Sequence, residues 1–155
     1  MFNKRNSLIF VSLILVVGIG TYVISSILVP DKNLSQRYSG KILGNKADII
    51  LTKACFNCHS NETKWPWYTS LPLINILISS DVAEGREDLN FSNWGSIPED
   101  KRLFYLEKVF DEIEKKDMPL WIYVLGHPEA KINKDDLKIL KDKATALGIS
   151  FKPPA

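Results

Sequence analysis

Cysteine, histidine and methionine are scarce in this chain, with two of each in 155 residues. Two cysteines exclude a dense disulfide scaffold. A surplus of charge is missing as well. Lys and Arg number 20 and Asp and Glu 18, and Lys4 and Arg5 alone supply the difference, because no acid precedes residue 30. A chain balanced in this way has no global field to gather DNA or RNA, so nucleic-acid binding is set aside. Internal repeats, low-complexity stretches and convincing strand patterns are also lacking. What remains is ordinary for a chain that buries a core: 45% hydrophobic and 25% charged residues, in a length that allows one modest domain plus a terminal segment.

Charge is absent altogether from Ser7 to Val29, where Leu, Ile and Val dominate. As a helix this run would span about 35 Å against a hydrocarbon thickness of roughly 30 Å. Lys4 and Arg5 precede it and would stay in the cytoplasm, which puts the rest of the chain on the far side. A cleaved signal peptide is the competing reading. Its apolar core would be shorter and would end in small residues, yet no alanine occurs before Ala47 and only Ser25 and Ser26 offer a weak site. Both readings export the domain. The expected organisation is an anchor or signal segment over 1–29, a polar linker over 30–43, an all-α domain over 44–150 and a tail over 151–155.

Four helices are expected in the domain. The first runs from about Gly44 to Cys58 and carries Ile49, Ile50 and both cysteines. The second opens at Ser70, with Pro72 in its first turn and Leu73, Ile76, Leu77, Ser80 and Ala83 at helical spacing, weakened at the far end by Gly85. The third starts with a capping box at Ser96-Ile97-Pro98-Glu99 and buries Leu103, Leu106, Phe110 and Ile113. The fourth begins at Asn133, has Asp135 and Asp136 in its first turn, presents Leu137, Leu140, Ala144 and Leu147, and stops at Gly148. Such stripes are narrow, while Trp65-Pro66-Trp67-Tyr68, Phe91 and Trp94 gather aromatics near the cysteines. They either surround a bulky flat guest or simply pack on one another, the commoner use of aromatics.

The chemistry is concentrated at Cys55-Phe56-Asn57-Cys58-His59, the C-x-x-C-H attachment signature of c-type haem. Two thiols one helical turn apart suit thioether bonds to the two vinyl groups, and the adjacent imidazole suits the iron. Three other uses of these residues compete. A thioredoxin-like dithiol needs a βαβ setting that the pattern lacks. A zinc site would have to recruit His127, and it has the wrong ligand spacing. An exported Cys55–Cys58 disulfide is the structural alternative.

Residues 55–68, CFNCHSNETKWPWY, resemble the opening of the small haem-binding domain family of bacterial exported proteins. Residues 81–94, DVAEGREDLNFSNW, are similar to its second block, and Met118-Pro119, Tyr123 and residues 127–132, HPEAKI, to its third. The likeness covers about residues 45–147. It implies a mostly helical, cytochrome c-like domain with one covalently bound haem c.

The sixth iron ligand can be enumerated. Apart from Met1 and His59, the chain offers Met118 and His127. Met118-Pro119 follows the third helix in the manner of a distal thioether on a stiffened loop, and Met/His ligation raises the potential in a way that suits an electron carrier. His127 is the alternative ligand, or else a loop anchor. Trp65, Trp67, Tyr68, Trp94 and Tyr123 are expected to contact the ring or a propionate, and Arg86 to pair with a propionate unless its charged neighbourhood is simply solvated. These residues together predict a membrane-tethered monohaem c-type cytochrome of the bacterial cytoplasmic membrane. It would carry single electrons between protein partners on the periplasmic side and have no catalytic residues. Rival readings are a peroxidase-like enzyme with His127 as distal base and a haem sensor with an exchangeable Met118.

Overall fold

The computed structural model describes residues 4–28 and 41–149. Most of the expected linker, and the expected tail, lie outside the described residues. Helix α1, Lys4–Leu28, contains most of the uncharged run and exposes most of its side chains between residues 4 and 24. By length and composition it is able to cross a membrane, and it runs against α4.

The domain is all-helical, with no strand among the described residues. Its elements are α2 (Asn45–Ala54), α3 (Phe56–His59), α4 (Pro72–Asp88), α5 (Glu99–Lys115), α6 (Trp121–Gly126) and α7 (Lys134–Ala146). Three 3-10 turns join them, over Trp67–Ser70, Phe91–Ser96 and Pro128–Ala130. Asp48 in the first turn of α2 accepts hydrogen bonds from the backbone N–H groups of Ile42 (3.3 Å) and Leu43 (2.7 Å), which fastens the incoming chain. α7 starts as its sequence demands. The Asn133 side chain accepts from the Asp136 amide, and the Asp136 carboxylate accepts from the Asn133 amide.

The core lies between α2, α5 and α7. Leu51, Phe91, Phe110 and Leu140 are its largest fully buried apolar side chains, each stabilising the fold by about 1.5–3 kcal/mol. Leu106, Phe110 and Ile113 face inward from α5, and Leu140 and Ala144 from α7, while Leu103 and Leu147 at the stripe ends remain exposed. Ion pairs cross the seams, Lys53 to Asp136 and Lys141 to Glu114, each at 2.7 Å. Both pairs retain solvent contact and contribute little beyond register.

Several expectations are corrected. The first helix is not continuous: it breaks at Cys55, whose φ of −123° ends α2 and opens α3. No capping box forms at residues 96–99. Pro98 is the N-cap of α5 without a side-chain cap, and Arg102 instead donates to the carbonyls of Ile97 (2.8 Å) and Gly95 (3.1 Å) from within the helix. α6 and the 3-10 turns were not anticipated, because each is too short to show a helical period. The largest correction concerns α4. Its buried side is Asn75, Ser79, Val82 and Gly85, with Ser79 donating to the Asn75 side chain, whereas Leu73 and Leu77 point outward.

Candidate haem site

The C-x-x-C-H segment forms one tight turn. The Cys55 carbonyl accepts from the amides of Cys58 (3.2 Å) and His59 (2.9 Å), so the break at Cys55 leaves the spacing of the motif intact. The polar chain that follows is held down on all sides. Ser60 donates to the Phe56 carbonyl at 2.7 Å, Thr63 to the Asn57 carbonyl at 2.7 Å, and Asn90 to the Asn61 side chain at 2.7 Å. Arg86 reaches across from α4 and donates to the Ser60 carbonyl (2.9 Å) and the Thr63 hydroxyl (3.0 Å). Its guanidinium therefore clamps the loop, while Glu84, Glu87 and Asp88 around it stay in solvent.

α3 crosses α4 at Gly85. A Cβ there would lie 3.1 Å from the Cys58 carbonyl oxygen and 3.3 Å from the Cys58 Cβ, so the glycine permits a close approach that a side chain would crowd. Sequence pattern alone read it only as a weak helix end.

His59 is oriented through one ring nitrogen. Its Nδ1–H donates to the Leu89 carbonyl at 3.1 Å, which leaves the Nε2 lone pair for coordination, the usual second contact of a metal-ligating histidine. The edge of Phe91, with ring centroids 6.4 Å apart, supports the imidazole. Beside it opens a cavity of about 430 Å³, within the range of small-molecule sites. Cys55, His59, Phe91, Tyr105, Met118 and Pro119 are among its lining residues. The helix α5, closed by Lys116 in the left-handed conformation (φ 67°), delivers Met118 to this cavity.

The other residues singled out in the sequence lie elsewhere. Cys58 is outside the cavity lining and faces α4. Trp94 packs in the core against Phe91, which stacks on Phe56 at 5.3 Å, so these aromatics fill space against one another. Trp65 is half-buried and Trp67 is largely exposed. Tyr68 and Tyr123 belong to a polar cluster with His127. The Tyr68 hydroxyl donates to His127 Nε2 at 2.7 Å, and His127 Nδ1 donates to Glu129 at 3.1 Å. Tyr123 stacks on the imidazole at 4.4 Å, and its hydroxyl accepts from the Asn57 side-chain NH2 at 2.5 Å. Both nitrogens of His127 are thus committed. Asn57, a variable position of the motif, was missed by sequence reasoning. Its side chain also accepts from the Lys64 amide at 3.1 Å, which makes it the hinge between the motif and this cluster.

Burial pushes the Cys55 thiol up to about 12, with the Cys58 sulfur adding to the shift. Burial and then Asp81 push Cys58 up to about 11, against an opposing pull from Arg86. Burial therefore keeps both thiols protonated in the folded, haem-free chain at neutral pH. Among the described residues no group of three or more His, Cys, Asp or Glu could hold a bare metal ion. The donor set fits an iron porphyrin instead. It combines an oriented imidazole, a thioether on the same cavity, and two sulfurs at attachment spacing that are not otherwise used.

An all-helical domain that brings an oriented imidazole and a thioether to one cavity suits a haem-binding protein. The chain matches the haem-binding domain family over residues 21–146 and belongs to it. No curated protein and no solved structure matches the chain.

Proposed function

We propose that this haem-binding protein is a membrane-anchored monohaem c-type cytochrome that passes single electrons between protein partners on the exported side of a bacterial cytoplasmic membrane. The observation that carries the reading is the pairing of His59, with Nε2 left open by the Leu89 contact, and Met118 on one cavity. Cys55 and Cys58 would hold the porphyrin through thioethers. His59 would be the proximal ligand and Met118 the distal one. Haem iron, when bound between such ligands, supplies reversible one-electron transfer at a raised potential. The chain's part is to fix the two ligands, exclude water with Phe91 and Val109, and keep the loop after the motif rigid through Arg86. α1 would serve as the anchor.

A peroxidase-like or sensing role would call for a distal base or an exchangeable position. His127, the residue available for it, is spent on Tyr68 and Glu129 and stands outside the cavity lining. The test is a pyridine haemochrome assay combined with mass spectrometry of the purified full chain. The expected result is one haem per polypeptide, retained through denaturation, with low-spin bands and a weak near-infrared thioether-to-iron transition in the oxidised form. A colourless protein at its bare peptide mass, from a host able to attach haem, would overturn the reading.

A further inference from the structure

The first half of α4 turns apolar side chains outward and polar ones inward. Asn75 and Ser79 are buried, while Leu73 is 66% and Leu77 63% exposed, even with α1 alongside. The segment from Trp65 to Ser80 contains no charged residue, and the turn that leads into α4 exposes Trp67 (81%) and Leu71. The Tyr68–His127 hydrogen bond holds that turn beside the C-terminal end of α6. α6 in turn exposes Trp121 (74%), Ile122 and Leu125 (76%), within another uncharged stretch from Met118 to Gly126. Exposed tryptophans and leucines on two adjoining uncharged segments make an apolar area of the kind that marks an interaction site.

We propose that this outer surface of α4, the preceding turn and α6 rests on the lipid bilayer, in the plane of the headgroup–acyl boundary. The occupant is identified by continuity: α4 lies against α1, the helix able to cross a membrane, so the bilayer that receives α1 reaches α4 as well. The chemistry agrees. Tryptophan prefers the headgroup level, leucine and isoleucine the acyl side, and charge begins only at the rims, with Lys64 at one end and Asp81 at the other. The haem-bearing turn, crossed by α4 at Gly85, would then be held at a fixed height above the membrane. The inference rests on the proposed anchoring by α1.

The full-length holoprotein is reconstituted in vesicles of phosphatidylcholine and phosphatidylglycerol, with a photoreactive side chain placed singly as Leu73→p-benzoylphenylalanine, Trp121→p-benzoylphenylalanine or, as control on exposed α5, Phe104→p-benzoylphenylalanine. Lipid adducts by mass at positions 73 and 121, several-fold above position 104, are expected. Adducts to a second polypeptide or to the porphyrin, equal lipid labelling at all three sites, or no adduct would each overturn the proposal. The same samples are assayed for haem and for resistance to alkaline extraction. Haem and integral insertion without lipid adducts would overturn the membrane face alone. Lipid adducts without haem would overturn the cytochrome reading alone, and extraction by alkali would overturn the anchoring by α1 and this inference with it.

Discussion

The two sides of the C-x-x-C-H turn are built differently. On the Cys55 side lies an open cavity, to which Met118 and one edge of α5 are delivered. On the Cys58 side everything is closed. Gly85 lets α4 approach to van der Waals contact, and Asn57, Tyr123, Tyr68, His127 and Glu129 use one another's polar atoms. Met118 and His127 are equally good iron ligands by residue type. What separates them is whether the donor atom is already spoken for, and that is decided by folding partners rather than by chemistry.

The comparison is broken most decisively at the sulfurs. With Cys55→Ala and Cys58→Ala, covalent haem is expected to vanish entirely, leaving the peptide mass and a lower, broader thermal transition by circular dichroism. A double variant that retains haem through denaturation would mean that the cavity side does not depend on the turn. Next in size is the ligand test. Met118→Ala should convert the oxidised iron from low to high spin in its optical spectrum, while His127→Ala should leave it low spin. The opposite pattern would make the closed side the ligand side.

Alkaline pH sharpens the contrast between free and reacted thiols. Burial raises both thiols from 9.0 in the folded, haem-free chain, to about 12 for Cys55 and about 11 for Cys58. The stabilisation that follows is fully present below pH 9 and is lost as pH rises toward those values, because the unfolded chain releases its protons first. Urea melts of haem-free protein should lose about 1.4 kcal/mol per pH unit per thiol in that window, whereas haem-bound protein, which on the proposed reading carries thioethers in place of thiols, should lack this loss. Gly85→Ala should cost about 1–3 kcal/mol by crowding Cys58, read as a fall in the thermal midpoint of the haem-bound protein. The smallest effect is expected for Tyr68→Phe, about 1 kcal/mol for one hydrogen bond to His127 and no change of spin state.

Much of this was legible in the chain itself. The C-x-x-C-H turn, the Asn133–Asp136 cap and the inward stripe of α5 depend on residues a few positions apart, and local spacing reports them well. The orientation of α4 was not legible, since apolar periodicity locates a stripe but not the medium it faces. The role of Arg86 was hidden for a related reason: a charge between acids reads as solvated, and its partners Ser60 and Thr63 are 26 and 23 residues away. The commitment of His127 depends on a tyrosine 59 residues earlier. Asn57 occupies a position the motif leaves free, so nothing in the signature marked it.

The packing of Cys58 against α4 has a consequence for biogenesis. In the haem-free fold this sulfhydryl belongs to a turn pressed on Gly85, outside the cavity lining, and burial keeps it protonated and a weak nucleophile. On the proposed reading, porphyrin ligation would therefore come first, on an open polypeptide emerging beyond the membrane, with α3 closing on α4 around a sulfur that has already reacted. Maturation and folding would become one ordered event, and a chain that closes early would remain without its pigment.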